Sequence, residues 1–432
     1  MTFRQRILLD RLLAVPLCVA CDFLARGIGR LLRRDHSIQP ETTRQIVVSK
    51  LVGMGSLVQA TPLLRALKKN FPRSRLTVVT LETNRPLVER LEAVDEVLCL
   101  NDRSAPALFW TTLRAVARLA GRRVDHFFDL EVYSGFACLL SVFSLARNRL
   151  GFYRHSNRFK KGIYTHLVYF NTRMPVRRIY LQLGRVAGVP AGADDRLGTI
   201  RIEPAERVSL REKLAGLGLG ADERYILVNP NASDLLIERR WPEAHAIEAL
   251  TRLAELDHRV VLLGAKSESA YVQGLVDRVP PAVRGRVLNT AGRLTLGEAF
   301  ALIEGAACVL TNDTGPMHMA FALGRPTVCL VGPADPVHYG LISPNIVTLY
   351  AAVSCSPCIY EVDQPPCHGN NVCMQRLSPE LVVNTVLAVL ARTRTEGAAP
   401  RLEPDETVRR LPLVWESDSG QLLGIVLRPP RR

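Results

Sequence analysis

Two doubly wound α/β domains, each a Rossmann-like parallel sheet with helices on both faces, are predicted by three features of this 432-residue chain. Short apolar strand-like runs alternate with helical stretches from Gln45 onward, and a second series of the same kind starts near Tyr225. Between the two, Gly188 to Pro204 is rich in Gly, Ala, Asp and Pro, which marks a linker. Such alternation implies a parallel sheet covered on both sides, and the chain is longer than one ordinary hydrophobic core accommodates. The expected division is an amino-terminal segment 1–40, a first domain 41–204, a second domain 205–390 and a basic, partly disordered tail 391–432, with a cleft between the domains.

Residues 4–34 set apolar side chains on a roughly helical period among Arg4, Arg6, Arg11, Arg26, Arg30, Arg33 and Arg34. The longest uncharged stretch, Leu12 to Cys21, falls well short of the about 20 apolar residues that a bilayer span needs. Asp10, Pro16 and Asp22 interrupt the segment further. A helix lying in the membrane interface fits this pattern better than a spanning one. A helix docked on the protein's own surface and a signal peptide are the competing readings.

In the first series Gln45–Lys50, Leu76–Thr80, Glu96–Leu100 and Asp125–Leu130 read as buried strands. In the second, Tyr225–Pro230, Val260–Gly264, Val287–Ala291, Cys308–Asn312 and Thr327–Val331 do so. Ligands of such sheets bind beyond the carboxyl ends of the strands, so the residues that follow each strand are the site candidates.

The balance of 56 Lys and Arg against 41 Asp and Glu gives a formal charge of +15, which attracts nucleotide diphosphates, acidic glycans, anionic headgroups and nucleic acid alike. Nucleic acid ranks last, because part of the excess sits in the first 35 residues and in the run Arg428–Arg432, and no nucleic-acid-binding motif is present. Of the ten cysteines, Cys18, Cys21, Cys99, Cys138, Cys308 and Cys329 are scattered through apolar segments, which favours a reducing, cytoplasmic setting. The other four, Cys355, Cys358, Cys367 and Cys373, form a C-x2-C-x8-C-x5-C pattern in a Pro- and Gly-containing loop. A structural tetrathiolate zinc site is the expectation, with two disulfides or four free thiols as alternatives.

The strongest motif is Thr311-Asn312-Asp313-Thr314-Gly315-Pro316-Met317-His318-Met319-Ala320, which follows an apolar strand and opens a helix. Asp313 and Thr314 suit the cap, Pro316 suits the first turn, and Gly315 lets a ligand approach the backbone. The free amides of a helix amino terminus make a natural diphosphate site.

With Asn289-Thr290-Ala291-Gly292 before it, and Ala322-Leu323-Gly324-Arg325-Pro326-Thr327 and Gly332-Pro333-Ala334-Asp335-Pro336 after it, this run resembles the carboxy-terminal signature of glycosyltransferase family 9, the bacterial lipopolysaccharide heptosyltransferases. Thr61-Pro62-Leu63-Leu64-Arg65-Ala66-Leu67, Phe71-Pro72 and Arg240-Trp241-Pro242 stand where that family has similar elements, so the likeness runs from about Gln45 to Leu387. The resemblance implies a GT-B fold and places Thr314 and Gly315 on the donor diphosphate, with Asp313 on a sugar hydroxyl. It further implies a cationic His318 beside the leaving diphosphate, Arg239 and Arg240 on phosphate with Ser233 upstream, and Glu268 on the ribose.

The chain departs from the family in its first loop. Relatives with heptosyltransferase activity carry Gly-Asp there, the Asp being regarded as the base; here Gly53, Met54 and Gly55 are followed by Ser56. Serine is no base at neutral pH without help. The carboxylate of Glu131, after the fourth strand, is the first candidate to replace it, and Asp129, within the strand, is the second. Arg154, with Arg147, Arg149, Arg158, Lys160 and Lys161, forms a basic acceptor side around Gly151-Phe152-Tyr153 that suits phosphates or acids of a lipid-linked glycan.

The expected activity is inverting, metal-independent transfer of a sugar, heptose by resemblance, from a nucleotide-diphosphate sugar to a lipopolysaccharide-type or other cell-surface glycan. No cofactor is required for it. The expected location is cytoplasmic, peripheral on the inner face of the membrane. A nucleotide-sugar epimerase and a non-catalytic nucleotide-sugar-binding protein are the alternatives.

Overall fold

The computed structural model describes residues 10–32, 36–232, 236–359, 361–362, 365, 367–395 and 424–425. They fall into two compact units, Met1–Thr199 and Ile200–Arg432. The change of unit lies a few residues before the helix that opens at Pro204, where the sequence placed its boundary. Most of the expected tail, residues 396–423 and 426–432, lies outside the described residues.

The first unit is built on six parallel strands in the order β3-β2-β1-β4-β5-β6. They are β1 (Gln45–Ser49), β2 (Arg75–Leu81), β3 (Glu96–Leu100), β4 (His126–Asp129), β5 (Asn148–Tyr153) and β6 (His166–Tyr169). Ile46, Val47, Val48, Phe127 and Phe128 are buried whichever way they point, as residues covered on both faces of a parallel sheet should be. Its helices are α1 (Val15–Leu32), α2 (Met54–Asn70), α3 (Ala105–Ala120), α4 (Gly135–Phe143) and α5 (Val176–Val186). Strands β5 and β6 were not anticipated: β5 contains Arg149 and Gly151, and β6 is a half-exposed edge.

A π-type turn, Asp10–Ala14, leads into α1. Asp10 accepts hydrogen bonds from the backbone N–H of Gly135 at 2.9 Å and of Phe136 at 2.7 Å, so a carboxylate from the amino-terminal segment caps the start of α4. Ala14 and Cys18 then bury against Cys138, Leu139, Ile163 and Tyr164. The segment is therefore docked along one side, while Leu12, Leu13, Leu17, Val19 and Phe23 stay exposed. Among the described residues, no helix is long and apolar enough to cross a membrane.

The second unit repeats the plan. Its strands are β7 (Tyr225–Asn229), β8 (Arg259–Leu262), β9 (Val287–Asn289), β10 (Cys308–Asn312), β11 (Thr327–Val331) and β12 (Ile346–Tyr350), in the order β12-β11-β10-β7-β8-β9. A two-residue strand, Gly424–Ile425, adds to β12 antiparallel. Helices α6 (Pro204–Gly216), α7 (Glu243–Glu255), α8 (Ser269–Asp277), α9 (Leu296–Gly305), α10 (Gly315–Ala322) and α11 (Pro379–Thr395) surround the sheet.

Taken in chain order, both sheets have the doubly wound order 3-2-1-4-5-6. The topological switch point, where successive connections leave for opposite faces, lies between β1 and β4 in the first unit and between β7 and β10 in the second. It is at those two places that ligands of such sheets bind.

Candidate active site

At the switch point of the second unit, Asn229 closes β7 and Asn312 closes β10. Asn229 Nδ2 donates to Thr311 Oγ1 at 3.1 Å and to Thr314 Oγ1 at 2.9 Å. Asn312 Nδ2 donates to the carbonyls of Pro230 at 3.0 Å and Asn231 at 3.2 Å. The two strand ends are thus stitched together, and Thr314 is fixed at the amino terminus of α10. Thr314 occupies the N-cap position, but its hydroxyl donates to Asn312 O at 3.3 Å and no side chain caps the helix. A Cβ added at Gly315 would meet only Met319 Cε, at 3.8 Å, so glycine here keeps space open that the protein itself does not fill. An uncapped helix start beside such a space favours an anion.

Arg239, in a short 3-10 turn at Ile237–Arg239, supplies a cation at the same place. Its Nη1 donates to Asp313 O at 3.2 Å, and its Nε lies 3.6 Å from Asp313 Oδ2. Asp313 is 3% exposed, and its Oδ2 has no hydrogen-bond partner despite being buried. Arg240 takes another course: its guanidinium stacks 4.1 Å from the ring centroid of Tyr271, so the two adjacent arginines do not act as one clamp. Trp241, which follows, is a core residue whose indole N–H donates to Leu377 O at 2.9 Å.

His318 corrects the expectation of a cationic imidazole. It is buried on α10 between the rings of Phe321 and Tyr339, and burial pushes its pKa down to about 4 against the opposing pull of Asp313, with Arg239 lowering it further. The ring so packed is neutral at pH 7. Glu268 is placed by its own turn, accepting from the backbone N–H of Ala265 at 2.7 Å, which is a capping role whatever else it does. Ser233 lies outside the described residues.

In the first unit, the β1–α2 loop and the end of β4 meet at the corresponding place. Glu131 Oε1 accepts from Lys50 Nζ at 2.8 Å, Leu51 N at 2.7 Å and Val52 N at 2.9 Å, so this carboxylate organises the loop that leads to Ser56. Burial alone would raise its pKa, but the Lys50 ammonium and the two amides hold it below the usual glutamate value. The group is ionised at neutral pH, and 14% of its side chain is exposed. Gly53 precedes α2 with φ of 90°, a conformation that only glycine adopts without strain, and Met54, Gly55 and Ser56 form the first turn.

Asp129 is a structural group. It is fully buried and accepts from Ser49 Oγ at 2.8 Å, Tyr164 OH at 2.5 Å and Lys160 Nζ at 3.3 Å, while its Oδ1 also takes Glu131 N at 3.0 Å. With every lone pair in demand, it cannot meet an acceptor. Lys160 is likewise removed from the basic acceptor side, since it is fully buried between Asp129 and the carbonyl of Glu131. Arg149 donates to the carbonyls of Ile163 and Ala146 and so braces its own strand. Arg154 rests on Tyr133, its Nη1 donating to the phenol oxygen at 2.5 Å.

The cysteine loop does not show the expected zinc site. Among the described residues, which include Cys355, Cys358, Cys367 and Cys373, no group of three or more His, Cys, Asp or Glu is placed to hold a metal ion. Cys358 N and Ile359 N donate to Pro333 O at 3.0 Å, and Cys373 and Met374 press on Gly332 so closely that a Cβ there would lie 2.5 Å from Met374 Sδ. Cys358 and Cys373 are buried as core side chains while Cys355 faces outward.

Comparison with known proteins identifies the family and the fold. The model of glycosyltransferase family 9 (heptosyltransferase) matches residues 141–368, more than half of the chain. Lipopolysaccharide heptosyltransferase 2 of Salmonella typhimurium is 26% identical over 286 residues, which are 66% of this chain and 81% of that one. ADP-heptose lipopolysaccharide heptosyltransferase II of E. coli superposes with a TM-score of 0.67 at 20% identity, over 82% of this chain and 100% of that one. A family 9 glycosyltransferase of Veillonella parvula gives 0.69 at 21% identity, over 82% and 99%. These two solved structures share the fold, which is of the GT-B class.

Proposed function

This chain belongs to glycosyltransferase family 9, the heptosyltransferase family, and from that premise we propose that it transfers heptose from ADP-heptose to a lipopolysaccharide-type glycan with inversion at the anomeric carbon and without a metal ion. The observation that carries the reading is the uncapped start of α10, with Thr314 fixed by Asn229, open space at Gly315 and Arg239 alongside. A diphosphate accepts hydrogen bonds from such amides and gains from such a cation.

In the proposed reaction an acceptor hydroxyl gives its proton to Glu131 while its oxygen bonds to the anomeric carbon. The bond from that carbon to the diphosphate oxygen breaks, and the nucleoside diphosphate leaves with the electron pair. The α10 amides and Arg239 stabilise the charge that develops on it. Glu131 is proposed as the base in place of Ser56 because it is ionised and partly exposed, and because Oε1 alone accepts the Lys50, Leu51 and Val52 hydrogens. Arg154 and the loop Gly53–Gly55 are proposed to meet the acceptor, and the inner face of the cytoplasmic membrane is the proposed place of work.

The test is a panel of nucleotide-sugars with membrane glycolipid extract as acceptor, with products followed by mass spectrometry. Transfer of heptose from ADP-heptose is expected, and Glu131→Gln should slow turnover by about 10²–10⁴-fold while ADP binding persists. Failure to bind ADP and to consume any donor would overturn the reading.

A further inference from the structure

Helix α3 is amphipathic in an unusual sense. Its inward face, Ala115 and Leu119, joins the core of the first unit, and its Ser104 cap is well formed, with Ala107 N donating to Ser104 Oγ at 3.3 Å. Its outward stripe then begins with Phe109, Trp110 and Leu113, all exposed, and ends with Arg114 and Arg118. Phe109 and Trp110 touch edge to face with centroids 5.4 Å apart, so they form one aromatic ledge. A solvated helix carries polar residues on this face; here Trp110 is 56% exposed.

The ledge has a counterpart. Helix α4 touches α3 on one side and α1 on the other. The outward residues of the amino-terminal segment, Leu12, Leu13, Leu17 and Phe23, are apolar, and Phe143 and Leu145 at the end of α4 are exposed as well. Basic groups follow the ledge along α3: Arg114 and Arg118 are exposed, and Arg118 shares the single carboxylate of Glu96 with Arg75 and Arg122, so three guanidiniums face one counter-charge there. Apolar and aromatic side chains edged by arginine match the headgroup region of an anionic bilayer. A second copy of the chain is a poorer occupant, because a formal +15 repels its like.

We propose that the Phe109–Trp110–Leu113 ledge of α3, together with the outward face of the amino-terminal segment, docks the enzyme on an anionic phospholipid surface. For its purpose this rests on the reading that the acceptor is lipid-linked, but its test uses no transfer step. The aromatic rings enter the interface, and the arginines at the carboxyl end of α3 meet lipid phosphates.

The experiment uses the full chain with sucrose-loaded vesicles of phosphatidylethanolamine and phosphatidylglycerol, and pure phosphatidylcholine as control. The wild type should sediment with the anionic vesicles, less so in high salt, with a blue shift in tryptophan emission. Phe109→Ser/Trp110→Ser/Leu113→Ser should lower partitioning by at least about tenfold, with melting temperature and ADP binding unchanged. Should that variant be unstable, quenching of Trp110 by brominated lipid in a Trp415→Phe chain gives the same information, since Trp241 is buried. Unaltered vesicle binding by the triple variant, or no quenching of Trp110, overturns the proposal. So does an aggregated wild type that the triple variant renders monomeric, which would assign the ledge to a second copy. Vesicle binding by a chain that neither binds ADP nor consumes any donor would instead sink the transferase reading and leave the docking surface standing.

Discussion

Arg239 and Asp313 meet twice, once through the backbone carbonyl at 3.2 Å from Nη1 and once through the carboxylate at 3.6 Å from Nε. The first contact fixes the guanidinium to the turn that starts α10; the second leaves Asp313 Oδ2 buried and short of a hydrogen bond. A buried carboxylate oxygen short of a hydrogen bond beside a guanidinium is the state expected of a group that completes its bonding on a ligand. Arg239→Ala should weaken ADP binding by about 10–100-fold, the worth of one charge-assisted hydrogen bond to phosphate. Isothermal titration with ADP checks this, and affinity within twofold of wild type would remove Arg239 from the site.

The Lys50–Glu131 pair makes a separate prediction. Lys50 is the foremost influence holding the Glu131 pKa down against burial. Replacing it by methionine takes away that cation, so the pKa of Glu131 rises and the base is ionised only at higher pH. The acid limb of the kcat/KM profile should shift to higher pH in Lys50→Met, while Glu131→Gln should abolish that limb. If the carboxylate only braces the loop, both variants lower the rate without moving the limb.

Much of this was legible in the sequence because burial on both faces writes parallel strands as continuous apolar runs. Cys308–Asn312 and Thr327–Val331 have the same bounds in the fold as in the text. Strand β5 escaped because Arg149 and Gly151 read as a basic loop, although the Arg149 guanidinium is spent on backbone carbonyls. The motif from Asn312 to Ala320 marked the turn that opens α10 but not the burial of His318: helical spacing says which face a residue is on, and only three-dimensional packing says that Phe321 and Tyr339 enclose it. Lys160 was misjudged for the same reason, since a lysine paired with Asp129 beneath the sheet is indistinguishable in sequence from one in water.

Asn229 was missed entirely, though Asn229-Pro230-Asn231 at a strand end was a visible signal. It is a positioning residue, bridging Thr311 and Thr314 by one amide nitrogen. Asn229→Ala removes both bonds, each worth about 1 kcal/mol, and should raise the KM for donor several-fold. Asn229→Asp is the discriminating variant. A carboxylate can accept from both threonine hydroxyls, so a purely structural role ranks Asp above Ala; beside a bound diphosphate the added negative charge reverses the order. Steady-state KM values and thermal midpoints for the two variants, read together, decide between these roles.

The last prediction concerns acid. His318 has its pKa pushed to about 4 in the folded protein from an ordinary 6.5, because burial disfavours the cation more than Asp313 favours it. The folded pKa lies below the unfolded one, so as pH falls below about 6.5 the unfolded chain takes up a proton that the folded one refuses. Stability is lost through the window from 6.5 down to about 4, where the folded state protonates too and the loss levels off. At pH 5 the loss from this one ring is about 2 kcal/mol relative to pH 7. His318→Gln cannot titrate, so whatever it costs in packing at pH 7, its further loss on going to pH 5 should be smaller by about that amount. Urea unfolding followed by the emission of buried Trp241, with Trp110 and Trp415 replaced by phenylalanine, places the reporter in the second unit. His126, pushed to about 4 by burial in the first unit, is common to both chains and cancels in the comparison, so parallel pH slopes in the parent and His318→Gln would show that folding does not lower the His318 pKa.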